Sequence, residues 1–257
     1  MGEPGGADRL RLTSDDDAPV SVFGLSDVGC VRKNNEDAFA FWRDESGARG
    51  VLCIVADGMG GAAAGEVASG IAVQRVRELY ARSEPERDPA ESLDECLQAA
   101  NRAILEAVEG DPRLVGMGTT CTSAVVREGR LWVGHVGDSR AYLLVEAKLH
   151  QLTRDHSLAA ELERQGRPGV GSVRNVLTRC LGMGPEVNVD VTARPLPFEP
   201  GMRLVLCSDG LTNGVKDEEI ERFVHESSPE EACDRLVEMA RRRGGADNIT
   251  VLVATPR

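Results

Sequence analysis

At 257 residues the chain can bury one large core, and 41% hydrophobic with 28% charged residues is the composition of an ordinary folded globule. A net charge of −12 argues against nucleic acid or an anionic membrane surface as partner. No apolar run nears membrane-spanning length and no secretory leader pattern is present, so a cytoplasmic protein is expected. Seven cysteines, an odd number with no C-x-x-C spacing, read as reduced and buried thiols. Four histidines without an H-E-x-x-H pattern leave little basis for zinc.

In chain order, residues 1–20 are rich in Gly, Asp and Pro and read as a disordered tail, with 21–257 as one domain. A short strand is expected over Ser21–Ser26. A polar loop then carries Arg32 and the Glu36–Asp37 pair into a strand at Ala38–Trp42. Adjacent strand residues point to opposite faces, so both acids serve one centre only if the chain twists or one acts through water. Val51–Ala56 is an unbroken apolar, β-branched run, hence a buried strand, and it stops at Asp57. Gly58, Gly60 and Gly61 follow and permit close backbone approach to a ligand; a helix is expected from Gly65 to about Tyr80. Gly58-x-Gly60-x-x-Ala63, with Glu78 further on, loosely fits a dinucleotide fingerprint. Against it, Asp57 would face the pyrophosphate and no βαβ unit follows.

Leu93, Leu97, Ala100, Ile104, Leu105 and Val108 recur at helical spacing, which predicts a second helix over Glu91–Glu109. Thr119–Val126, a Glu128-Gly129 turn and Leu131–Val136 form a hairpin, hence an antiparallel sheet, and it ends at Gly137-Asp138. Ala141–Val145 continues that sheet, with Leu149–Leu152 as a partner. A short helix over Leu158–Gln165 leads into a glycine-rich run from Gly166. Met202–Cys207 is an apolar strand that runs into Ser208-Asp209-Gly210. Asp217–His225 is helical, and Ser228-Pro229-Glu230-Glu231 is a capping box that opens a last helix to about Arg243. The final strand, Ile249–Ala254, begins beside Asp247.

Asp57, Asp138, Asp209 and Asp247 thus all stand where an apolar strand meets a turn. If the strand ends converge, these carboxylates repel one another unless cations neutralise them. An oxygen-only donor set, with no His or Cys, selects hard ions such as Mg²⁺, Mn²⁺ or Ca²⁺. Solvated turn acids are the alternative that spacing alone leaves open.

Eight segments carry a family likeness: VRKNNED (31–37), ADGMGGAAAGE (56–66), GMGTT (116–120), VGDSRAYLL (136–144), LTRDHS (152–157), NVLTRCLG (175–182), CSDGL (207–211) and DNITVLVA (247–254). In this order they resemble the metal-dependent Ser/Thr protein phosphatases of type 2C, in their compact bacterial form. The resemblance implies an α+β, four-layer αββα sandwich of two antiparallel sheets flanked by helices. It implies that Asp57 bridges two Mn²⁺ or Mg²⁺ ions, that the Gly58 carbonyl binds one, and that Glu36, Asp209 and Asp247 complete the pair. Asp37 would orient the attacking water, Arg32 would hold the substrate phosphate, and Asp138 with Asp209 would match a third-ion site. The implied activity is hydrolysis of phosphoserine and phosphothreonine in proteins by a monomer that opposes a Ser/Thr kinase. Two ions would lower the pKa of a bridging water and offset charge on the phosphoryl oxygens, while a guanidinium suits phosphate by bidentate bonding.

Met59 stands where many eukaryotic members carry a His proposed as general acid. The lid segment is short, Gly166–Arg174 only. His156 is expected to anchor its loop and Arg179 to pair with an acid. Two rival functions follow from the same residues. A non-catalytic phosphoprotein-binding relative would have lost metal acids, and none is lost here. A phosphatase for anti-sigma-antagonist clients would lack the VRxxNED-like segment, which is present.

Overall fold

A computed structural model describes residues 9–14, 18–60, 64–167 and 176–257. Its strands are β1 (Arg9–Thr13), β2 (Val20–Asp27), β3 (Asp37–Arg43), β4 (Val51–Met59), β5 (Gly118–Thr119), β6 (Cys121–Arg127), β7 (Arg130–Val136), β8 (Arg140–Val145), β9 (Lys148–Gln151), β10 (Asp190–Val191), β11 (Leu196–Pro197), β12 (Arg203–Cys207) and β13 (Ile249–Pro256). Its α-helices are α1 (Ala64–Arg82), α2 (Pro89–Gly110), α3 (Leu158–Arg164), α4 (Asp209–Thr212), α5 (Asp217–Glu226) and α6 (Pro229–Arg242). One sheet has the order β1-β2-β13-β12-β8-β9. The other runs β10-β7-β6-β4-β3, with β11 on β7 and β5 on β4, and the named pairings are antiparallel.

Strand periodicity explains the layering. On β4, Leu52 and Ile54 pack with α1 and α2, while Val51, Cys53 and Val55 face the gap between the sheets. Burial on both faces is why this strand reads as continuous apolar sequence rather than as alternation. On the other sheet, Val251 and Val253 of β13 meet α5 and α6, and Leu252 and Ala254 fill the gap. Helices therefore cover both outer faces, which gives the expected αββα sandwich.

Helix ends follow local chemistry. Asp88 caps α2 by accepting from the Ala90 N–H at 2.7 Å, with Pro89 at the first helical position. The reciprocal Ser228–Glu231 cap opens α6, which buries Ala232, Cys233, Leu236, Val237 and Ala240. Leu252 is fully buried between the sheets. Leu252→Ala is expected to cost about 2–5 kcal/mol, read as a lower urea midpoint at unchanged m-value.

The first twenty residues are not all a tail. Arg9–Thr13 forms β1, in register with β2 from Arg9↔Asp27 to Thr13↔Phe23. Arg9 pairs with the buried Asp27, and Arg11 with Asp234 of α6 at 2.7 Å. The Gly, Asp and Pro around this segment hid a four-residue alternation of Arg and Leu, closed by Thr13. Cys30 also departs from expectation, being exposed where the other six thiols are buried. The expected short lid, Gly166–Arg174, lies outside the described residues from position 168 onward, as do Gly61 and Ala63.

Candidate active site

Where the inter-sheet core runs out, the same faces of the same strands become acidic. Asp37 and Asp57 are directly paired across β3 and β4. Asp37 shares strand parity with the core residue Phe39, and Asp57 with Cys53 and Val55. Opposite them, Ser208 and Thr250 continue the parity of Leu206 and Leu252. Both hydroxyls donate to Asp37 Oδ2, at 2.7 and 2.6 Å. Glu36, Asp57, Asp138, Asp209 and Asp247 line one cleft of about 450 Å³ with Arg32 and Lys33 at its edge. The acids thus converge from β4, from the turn after β7, from the start of α4 and from the turn before β13.

Glu36 and Asp37 do point apart. Asp37 turns inward between the sheets and is not part of the cleft wall. Glu36 lies in the loop before β3, with its carboxylate against the first turn of α1. A Cβ placed on Gly65 would stand 2.9 Å from Glu36 Oε1. The start of an α-helix is a favourable setting for a carboxylate. Gly58 has no room for a side chain either, because a Cβ there would run into the carbonyl of Gly65.

Several residues that hold this geometry stand inside the family-like segments but were given no role from the sequence. Asn248 accepts the Glu36 N–H at 2.8 Å and donates to the carbonyls of Val28 and Asn34, at 2.9 Å each. It staples the Arg32 loop to the start of β13. Thr120 Oγ1 accepts the Asp57 N–H, and Thr119 Oγ1 donates to the Asp57 carbonyl, both at 2.9 Å. Their membership of the GMGTT and DNITVLVA segments was the signal available, and it did not say what they bind.

Electrostatics in the cleft are strained in one direction. Burial first, and then neighbouring carboxylates, push Asp37 up to about 7 and Asp138 up to about 7. Burial followed by repulsion also raises Asp57 and Asp209. Arg32 meets the acids at the rim, donating to Asp247 Oδ2 at 2.7 Å and standing 3.8 Å from Glu36 Oε2. Among the described residues, no three His, Cys, Asp or Glu side chains already surround one point closely enough to hold an ion. Three other observations fit a hard cation. The donors are all oxygens. Asp37 Oδ1 and Asp209 Oδ1 are buried without any hydrogen-bond partner. The acids crowd one cleft at the cost of shifted ionisation. The arrangement suits divalent ions and, at its rim, a phosphate for Arg32.

The remaining expected residues divide cleanly. Met59 lines the cleft and has no proton to give. His156 and Arg179 both bind Asp190, at 3.1 and 2.8 Å, so each is a structural anchor. The dinucleotide alternative fails on topology, because β4 is antiparallel to both of its long neighbours, β3 and β6.

Behind the cleft the buried His135 donates from Nε2 to the Arg154 carbonyl (3.0 Å), which leaves Nδ1 as the acceptor toward Thr122 Oγ1 (2.9 Å). Burial, and then the nearby His156 ring, push it down to about 4. Between that value and the ordinary value of about 6.5, the unfolded chain binds a proton and the folded chain does not. Stability is therefore lost as pH falls through this window, on the order of 3 kcal/mol in all. His135→Gln is expected to flatten that part of the melting-temperature profile relative to the wild type.

A family model for protein phosphatase 2C matches residues 31–250. The chain belongs to this family. It is 42% identical over 233 residues to the serine/threonine protein phosphatase PstP of Mycobacterium tuberculosis, covering 89% of this chain and 43% of that protein. This chain thus spans less than half the length of PstP. Against the serine/threonine phosphatase stp of Listeria innocua it is 36% identical, covering 89% of this chain and 92% of the relative. The crystal structure of Mycobacterium tuberculosis PstP superposes with a TM-score of 0.82 at 38% identity, over 93% of this chain and 99% of that one. A second structure, the catalytic domain of PstP in complex with 2 manganese ions, gives 0.79 at 39% identity, over 92% and 97%. The fold and the phosphatase 2C family membership are shared with these proteins.

Proposed function

We propose that this protein hydrolyses phosphoserine and phosphothreonine monoesters in other proteins, using divalent ions. The observation that carries this reading is the convergence of five cleft carboxylates and Arg32 at the open end of the sheet sandwich. Glu36, Asp57, the Gly58 carbonyl, Asp209 and Asp247 would hold two Mn²⁺ or Mg²⁺ ions, and Asp138 with Asp209 a third. PstP crystallised with two manganese ions supports the pair. When bound, such ions supply an acidified water and neutralise charge on a phosphoryl group.

The chain's own residues supply the rest. Arg32 reaches over the rim and receives the phosphate on its two-pronged guanidinium, exchanging Asp247 for the substrate oxygens. Asp37 is held through Oδ2 by Ser208 and Thr250, and its Oδ1, buried without a hydrogen-bond partner behind the cleft wall, would orient the attacking water only through a water drawn in behind that wall. In the net reaction the water oxygen bonds to phosphorus and the ester P–O bond breaks. The products are inorganic phosphate and the free hydroxyl of Ser or Thr. The reading includes a cytoplasmic monomer acting against a Ser/Thr kinase. Six buried unpaired thiols suit a reducing compartment, and no helix among the described residues is long and apolar enough to cross a membrane.

The test is phosphate release from a phosphothreonine peptide. Turnover with Mn²⁺ that stops in EDTA is expected. Equal turnover in EDTA, or turnover restricted to a phosphotyrosine peptide, would refute the assignment.

A further inference from the structure

His156 grips Gly137 at both of its backbone groups. Its own N–H donates to the Gly137 carbonyl at 2.8 Å, and its ring Nδ1 accepts the Gly137 N–H at 3.0 Å. The second contact fixes the tautomer. Nδ1 must be bare to accept, so the neutral ring carries its proton on Nε2 and donates it to Asp190 Oδ2 at 3.1 Å. Burial lowers the pKa of His156, in keeping with a neutral ring.

Both ends of this clamp lead somewhere. Gly137 has φ +114, a conformation that suits glycine, and it packs on the side chain of Thr120. The next residue is Asp138, which lines both the active cleft and a smaller neighbouring cleft of about 290 Å³. At the other end, Asp190 is held by Arg179, which also donates to the Asn188 carbonyl at 3.0 Å. Arg179 belongs to the 176–181 segment, whose Leu177 lines the cleft. That segment is tied back to His156 by the Thr178 N–H, which donates to the His156 carbonyl at 2.8 Å.

We infer that His156 is a positioning residue that sets Asp138 in the cleft by clamping Gly137, and that Asp190 and Arg179 make this hold depend on the 176–181 segment. Asp138 has no other anchor of this kind on its N-terminal side among the described residues. The chemical role is the outer-shell one usual at ion sites: a fixed imidazole tautomer orients a ligand it does not itself replace. The inference rests on the reading of Asp138 as an ion ligand, but the clamp on Gly137 can be measured without it.

Two substitutions separate the halves of the ring. Asn places an oxygen about where Nδ1 lies and keeps an acceptor for Gly137. Gln places an amide nitrogen about where Nε2 lies and keeps only the donor to Asp190. His156→Gln is expected to weaken Mn²⁺ binding, by calorimetry, about ten-fold or more. It should also speed amide exchange at Gly137 about five- to ten-fold. His156→Asn is expected to stay within about three-fold of wild type in both measurements. Asp190 is half exposed, so Asp190→Asn should fold, with a smaller loss in the same direction. Wild-type behaviour of His156→Gln, or equal damage from Asn and Gln, would overturn the inference. Should His156→Gln not fold, Asp190→Asn decides it, and unchanged Mn²⁺ affinity and Gly137 exchange there would overturn it. If the wild type bound Mn²⁺ but hydrolysed no phosphopeptide, the functional proposal would fall while these two readouts still judged the clamp.

Discussion

Asp57→Asn is expected to remove hydrolysis of a phosphothreonine peptide almost entirely, by roughly three orders of magnitude in kcat or more. Asp57 is the carboxylate on which the others bear: Asp37 is its cross-strand partner, and repulsion from Asp37, Asp209, Asp138 and Asp247 raises its pKa after burial does. Ions held at this position would be worth several kcal/mol of transition-state stabilisation, and each 1.36 kcal/mol is a factor of ten. The same change removes one negative charge from a repelling group. The EDTA-treated variant is therefore expected to melt no lower than wild type. Loss of activity with preserved or raised stability separates an ion ligand from a residue that merely holds the fold. Activity within ten-fold of wild type would remove Asp57 from the centre.

Arg32→Ala should lower kcat/KM about ten- to hundred-fold, mainly through KM, because a charge-assisted contact to phosphate is worth about 1.5–3 kcal/mol. Arg32→Lys should recover little, since an ammonium cannot reproduce two parallel bonds to the phosphate oxygens. The side chain is 46% exposed and, among the described residues, its ion pairs are with cleft acids, so the melting temperature with Mn²⁺ present should hardly move. An unchanged kcat/KM would mean that phosphate is bound by another group, with Lys33 the nearest candidate along the cleft wall.

The elements of this fold were legible because strand and helix leave different periodicities, but the sheet of Ala141–Val145 was not: expected beside the β6–β7 hairpin, it is β8 of the other sheet, between β12 and β9. Leu93, Leu97, Ala100 and Ile104 announced α2, and Val51–Ala56 announced a strand buried on both faces. β1 was not legible, since a short Arg-Leu alternation inside a Gly- and Asp-rich stretch looks like tail until β2 pairs with it. β10, β11 and α4 are too short to leave any period. The site was legible as a set of strand-end acids but not as a geometry. Asp37 and Glu36 are adjacent in sequence yet face different places, one inward to Ser208 and Thr250, the other to the first turn of α1. The staple made by Asn248 joins residues more than 200 positions apart, and no local pattern encodes such a pairing.

The central claim is that these carboxylates hold the ions with which the protein cleaves phosphate esters. The most direct measurement is a Mn²⁺ titration of the EDTA-stripped protein, followed by calorimetry and by phosphate release from a phosphothreonine peptide in parallel, for wild type and Asp209→Asn. At least two bound ions, with a further ion at Asp138, turnover rising as they bind and both effects curtailed in the variant, is the predicted result. Full turnover before any ion binds, or Mn²⁺ bound equally well by Asp209→Asn, would contradict it.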